Sequence, residues 1–219
     1  KLLLNELNID VRSGICEIDG VKADNFNFEN ARNSEIFALD SNVEDAQKNA
    51  ILKAKNSHNS VGGVALINVK NCPVGLGEPI YHKLDAQIAN AMMSINAVKA
   101  VEIGDGILAS RVLGFDNNDQ IRKSGFKTNH SGGILGGISN GDDINVKVYF
   151  KATPSIFIEQ ETVDIYGNEV ECKLKGRHDP CVAIRGSVVA ESMIALVIAD
   201  MLLLNMSSKV ENIKKVYAK

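Results

Sequence analysis

Hydrophobic and polar positions divide the chain into strands and helices of clear period. Ile144-Asn145-Val146-Lys147-Val148-Tyr149-Phe150 alternates apolar with polar, which predicts a half-buried strand. Val11 to Ile18 has strand character, and Asp19-Gly20 reads as the turn that ends it. Asn59 to Val69 is a further β-rich run. The glycine pair near its start would weaken it unless backbone or ligand approaches closely there. Val101 to Gly106 begins as a strand and breaks at two glycines. Ile156 to Glu159 continues the β pattern, and Val163–Tyr166 with Glu169–Leu174 reads as a hairpin closed at Gly167-Asn168.

Helical spacing appears elsewhere. Apolar positions 43, 46, 50, 51 and 54 predict a surface helix over Val43–Lys55, with Asp40 or Ser41 as its cap. A second helix is expected from Leu84 to Val98, rich in small residues and methionine that permit close packing. Val188 to Met206 is apolar except for Glu191, Ser192, Asp200 and Asn205, so this helix should be buried on every side. It continues or breaks near Ser207-Ser208 and resumes to Tyr217. Residues 21–42 show no strong period, and Lys1 to Leu7 reads as the tail of a helix without a cap.

Composition narrows the classes. A chain of 219 residues with 45% hydrophobic and 23% charged residues suits a globular domain. A net charge of −3, no tryptophan and few aromatics argue against nucleic acid as a partner. Four cysteines without a CxxC pair match no common zinc module, so no metal is expected; they fit reduced thiols in a cytoplasmic compartment. Met193 to Leu204 contains Asp200 and is too short to span a bilayer, so no membrane partner is expected.

Two segments concentrate the chemistry. Gly176-Arg177-His178-Asp179-Pro180-Cys181 precedes the apolar helix, with Arg185 nine residues beyond Gly176. Charges anchored to a rigid helix suit an anion or polar cofactor, and a loop whose charges pair with one another accounts for them equally well. Thr128 to Gly141 holds five glycines in the ten residues from Gly132. Such a backbone can approach a phosphate or planar ring, and a plain strand-to-strand turn is the competing explanation. Neither a P-loop nor a dinucleotide fingerprint is present.

Six segments in order resemble the chorismate synthase family, covering about residues 59–206. They are Val74-Gly75-Leu76-Gly77-Glu78-Pro79, Lys83-Leu84-Asp85-Ala86, Met92 to Lys99, Val101 to Gly106, Gly132 to Ser139, and Gly176 to Val182. The resemblance implies an α+β fold, a β-α-β sandwich with helices buried between antiparallel sheets, incomplete here and assembled as a homotetramer. It implies a lyase of the shikimate pathway, serving aromatic amino acid biosynthesis. The reaction would be the anti-1,4-elimination of phosphate from 5-enolpyruvylshikimate 3-phosphate to give chorismate. Reduced FMN would be required, with NADPH as a candidate reductant.

Carried over by motif, Asn96 and Ala97 would touch FMN, and Gly136 would let the backbone approach it. Lys151, Ala152, Thr153, Pro154 and Ser155 match the family's flavin-binding segment, and Arg177 would contact FMN or substrate. Asp179 would be catalytic, near flavin N5. For His178 and Arg185 a structural role is as well supported as a functional one. Asn59, His130-Ser131, Ala152 and Gly186-Ser187-Val188 depart from the usual pattern. The segments holding the family's acid-base histidines do not occur, and His58, His82, His130 and His178 fit none of their contexts. Residues 1–219 are therefore expected to be a single-domain fragment, the C-terminal two-thirds of the family pattern, inactive alone. The alternative is a non-catalytic flavin- or anion-binding module.

Overall fold

The computed structural model describes every residue except Lys175, Arg177 and Lys219. In order the chain forms α1 (Leu2–Asn5), β1 (Asp10–Ile18), β2 (Val21–Lys22), α2 (Phe28–Asn33), α3 (Glu44–Asn56), β3 (Gly63–Lys70), α4 (Leu84–Met93) and β4 (Val98–Ile103). A 3₁₀ turn, Gly106–Arg111, follows. Then come β5 (Ile121–Arg122), β6 (Gly125–Phe126), β7 (Ile134–Leu135), β8 (Ile138–Ser139), β9 (Ile144–Phe150), β10 (Gln160–Val163), β11 (Glu169–Cys172), α5 (Ala183–Met206) and α6 (Val210–Tyr217).

One antiparallel sheet, ordered β2-β1-β3-β9-β4, organises the molecule. Its hairpin β1–β2 closes at Asp19 and Gly20, with φ of 48° and 80°. Both are positive, as the tight turn that matches strand twist demands. Strand alternation decides the two faces. Ile144, Val146, Val148 and Phe150 of β9 join Ala65, Ile67 and Val69 of β3 in the main core. Cys16, Val64 and Leu66 point the other way, with Ala31, Leu39 and the partly buried Tyr149. Helices α4 and α5 pack against each other and cover the first face, α5 lying across β1, β3 and β9. The α+β class is as expected, with the helical layer on one sheet.

Several expectations need correction. The final helix begins at Ala183, five residues earlier than its apolar run suggests, and has 24 residues. It is long and apolar enough to span a bilayer by length and composition, contrary to the expected shortness. It is also not buried all round. Ala183, Gly186, Ser187, Ala190, Ile194, Ala195, Ile198 and Met201 form the buried stripe, while Leu196 remains 66% exposed. This stripe, small at its start and with larger side chains from Ile194 onward, is the face that packs inward.

Helix α4 stops at Met93 rather than Val98. Ala97 takes a left-handed φ of 72°, which turns the chain so that Val98 pairs with Phe150 in the sheet. Neither Asp40 nor Ser41 caps α3, whose cap is Val43 without a side-chain bond. Asp40 instead accepts from the backbone N–H of Asp24, Asn25 and Asn42, which ties down the aperiodic segment and holds its carboxyl below the usual range. Ile156–Glu159 is not a strand, and the late hairpin is shifted to β10 and β11 around Asp164–Asn168.

Candidate active site

Three glycines bring the site's backbone together. A Cβ at Gly62 would lie 2.8 Å from the Phe150 carbonyl oxygen, and one at Gly63 would lie 2.9 Å from Ala183 Cβ. A Cβ at Gly186 would sit 2.5 Å from Phe150 Cζ. Carbon atoms rest at about 3.5–4.0 Å, so only glycine lets α5 seat its first turn on the ends of β3 and β9. The same closeness sets the α5 entry loop beside the segment leaving β9.

Hydrogen bonds then fix three segments against one another. The Lys151 N–H donates to the Ala97 carbonyl at 2.9 Å, joining the α4–β4 turn to the end of β9. The Thr153 hydroxyl donates to the Asp179 carbonyl at 3.1 Å, joining that end to the α5 loop. The Ser60 hydroxyl donates to the Thr153 carbonyl at 2.6 Å, and the Val61 N–H to the Pro180 carbonyl at 2.9 Å. Asn96, Ala97, Lys151, Ala152, Thr153, Pro154, Ser155 and Asp179 therefore share one neighbourhood. Arg177 lies outside the described residues. Gly136 is elsewhere: it and Gly137 turn the β7–β8 hairpin with φ of 60° and 88°, and the Gly137 carbonyl accepts from Leu84 at the start of α4. Asn96 follows the other end of that helix, roughly 15 Å along its axis. The glycine cluster forms the β7–β8 turn at the start of α4, and the space beside Gly136 is open, with nothing within 4 Å of a Cβ placed there.

The side chains have defined roles. Arg185 Nε pairs with Asp179 Oδ2 at 3.1 Å while most of the arginine side chain stays exposed. This is the pairing of loop charges that sequence alone left open. His178 meets the edge of Phe157 at a centroid distance of 5.0 Å, and its buried Nε2 has no partner among the described residues. Asn96 and Lys151 are exposed, and no protein group engages either side chain among the described residues. Burial pushes the Cys181 thiol up to about 11, which keeps it in the thiol form near neutral pH.

Beside these groups lies a cleft of about 420 Å³ lined by Asn96, Phe150, Val182, Arg185, Gly186 and Met193 among others. That is within the roughly 300–1,000 Å³ typical of small-molecule sites. Apolar walls with the Asn96 amide and the Arg185 guanidinium at the cleft, and the exposed Lys151 next to Phe150 in sequence, suit an amphipathic ring carrying an anionic group. Sequence reasoning missed Ser60, Gly186 and Phe157, whose roles are tertiary; only Ser60, beside the glycine pair, had a local signal. His130-Ser131, one of the departures from the family pattern, has a structural role. His130 Nδ1 bonds Asp105 Oδ2 at 2.6 Å, and the Ser131 hydroxyl bonds Asp119 at 2.8 Å, anchoring that loop.

Comparison with known proteins shows the family. The chorismate synthase family model matches residues 1–203. A chorismate synthase of Aliarcobacter butzleri is 82% identical over 219 residues, all of this chain and 61% of that protein. The Sulfurimonas denitrificans chorismate synthase is 63% identical over the same span. A crystal structure of chorismate synthase superposes with a TM-score of 0.77 at 30% identity, over 97% of this chain and 62% of that one. The chain thus spans 61% of the length of these curated relatives.

Proposed function

Because the chain belongs to the chorismate synthase family, we propose that it forms the flavin-holding part of a lyase that eliminates phosphate from 5-enolpyruvylshikimate 3-phosphate. The observation that carries this reading is the convergence of the α4–β4 turn, the end of β9 and the α5 loop on one cleft. Asn96, with no side-chain partner among the described residues, would bind the polar edge of FMN, and the Ala97 turn would bring backbone close to the ring. Lys151 would neutralise a phosphate, since an exposed ammonium on a fixed strand end acts as a point charge. When bound, the reduced flavin supplies an electron-rich ring beside the reacting bonds.

The protein's own part is to bind, orient and exclude water. Arg185 orients one Asp179 oxygen and leaves the other without a protein donor among the described residues, available to a proton at the site. Phe150, Val182 and Met193 keep the wall apolar, which strengthens every charge interaction facing it. By the family's pattern, the homotetramer, the cytoplasmic location and NADPH as reductant belong to the same proposal. The principal acid-base histidines lie in family segments that these residues lack, so this chain alone is expected to bind FMN without turnover.

A flavin fluorescence titration of the 219-residue chain tests the reading. Lys151→Ala should weaken FMN about tenfold, the loss of one charge-assisted contact of roughly 1.4 kcal/mol. Riboflavin, without the phosphate, should bind both proteins alike. Equal FMN affinity in the two proteins would remove Lys151 from the site, and no saturable binding to either would remove the site itself.

A further inference from the structure

The sheet face away from α5 carries a second cleft, of about 310 Å³, unrelated to the flavin neighbourhood. Strand register builds it. Glu102 of β4 stands directly opposite Lys147 of β9, and Tyr149 lies two residues further along β9 on the same face. A directly opposed acid and base normally bond across the strands. Here they do not. Glu102 is only 9% exposed, and its one donor among the described residues is the Tyr149 hydroxyl at 2.8 Å. Lys147 is half-buried and pairs with no carboxylate among the described residues.

Gly106 holds a roof over this acid. Its φ is +55°, and a Cβ there would lie 2.5 Å from Glu102 Cγ, so the 3₁₀ turn rests directly on the Glu102 side chain. That turn presents Ile107 and Leu108, 55% and 57% exposed, and the cation Arg111. Phe26, 50% exposed, forms part of the lining with them.

We propose that this cleft binds a small zwitterion with an apolar side chain, an α-amino acid in chemical class. Its ammonium would meet Glu102 and its carboxylate would meet Lys147 and Arg111. A buried carboxylate with a single donor and a half-buried ammonium without an acceptor are each costly, and one ligand of both signs satisfies both. A plain cation would leave Lys147 unsatisfied. A polyanion would face Glu102 and Glu17. Phe26, Ile107 and Leu108 supply the surface for an aliphatic or aromatic side chain, and the volume fits one residue rather than a peptide.

Calorimetric titration of the 219-residue chain decides it, with L-leucine, isoamylamine and 4-methylpentanoate as probes. L-leucine should saturate at millimolar concentration or below. Isoamylamine lacks the carboxylate and 4-methylpentanoate lacks the ammonium, so each should bind at least about tenfold more weakly. Glu102→Gln keeps an acceptor for Tyr149 and should weaken leucine about tenfold while sparing 4-methylpentanoate. Lys147→Met should do the reverse, sparing isoamylamine. Urea midpoints confirm that the variants fold, and if one does not, the probe series alone decides. No saturable heat with leucine, or 4-methylpentanoate binding as tightly as leucine, overturns the proposal.

Discussion

Replacing Gly186 with alanine tests how the site is assembled. The new Cβ would begin 2.5 Å from Phe150 Cζ, and Phe150 is 4% exposed at the end of β9. Relaxation to an ordinary contact requires about 1 Å of separation between the first turn of α5 and the sheet. Overpacking of this kind costs about 1–3 kcal/mol. Alanine returns about 1 kcal/mol through helix propensity, because Gly186 is within α5. The net expectation is a loss of about 1 kcal/mol, or about 2–4 °C in Tm for a chain of this size. The same shift moves Arg185 and Asp179 away from Lys151 and Thr153, so FMN affinity should fall several-fold. Urea unfolding and flavin fluorescence read the two effects. Gly186→Val should do more damage, and Phe150→Leu should recover part of the alanine loss, with a coupling of at least about 0.5 kcal/mol. A more stable Gly186→Ala protein with unchanged flavin affinity would refute the packing argument.

Further outcomes follow from single sites. Ala97→Val places a β-branched residue at φ 72°; it should destabilise by about 1–2 kcal/mol and weaken FMN, whereas Ala97→Gly should be near neutral in a thermal melt. Asp119 is pushed upward by burial, but donors from Ser131, His130 and Thr128 outweigh this and bring it down to about 2. Its folded pKa is depressed, so its stabilisation is full above the ordinary carboxylate value of 3.8 and is lost as pH falls towards about 2. Asp119→Asn should therefore flatten the acid limb of a stability-versus-pH curve over that window. Burial raises the Cys16 thiol to about 12 and those of Cys72 and Cys181 to about 11, while Cys172 is only half-buried. A thiol-reactive chromophore should thus label one cysteine per native chain quickly and four after denaturation.

Much of the central sheet was legible because its strands bury one or both faces and write that into the sequence. The alternation of Ile144–Phe150, the Asp19-Gly20 turn and the β run before Val69 all became elements of one sheet. What was not legible depends on partners distant in sequence. The early end of α4 lies in Ala97's left-handed backbone, which no residue type signals. The exposed side of α5 depends on which face meets the sheet, and an all-apolar sequence does not say. Asp40 serves a loop rather than a helix because Asp24 and Asn25 fold back to it.

The candidate site divides the same way. Asn96, Ala97, Lys151, Thr153 and Asp179 were legible through motif resemblance, and the backbone brings them together. Gly136 carries the same motif signal yet sits at the far end of α4, because its turn caps that helix. The outer cleft went unseen because Glu102, Lys147 and Tyr149 form no local motif. Only the odd-numbered side of the β9 alternation hinted at it.

Hydrogen–deuterium exchange of the 219-residue chain with and without FMN tests the central claim most directly. The account predicts added protection in three segments at once: residues 94–98, 150–155 and 179–186. The β7–β8 turn at Gly136-Gly137 and the outer cleft at residues 102–111 should exchange as before. Protection centred on the Gly136 turn, without change at the end of β9 and the start of α5, would contradict the account.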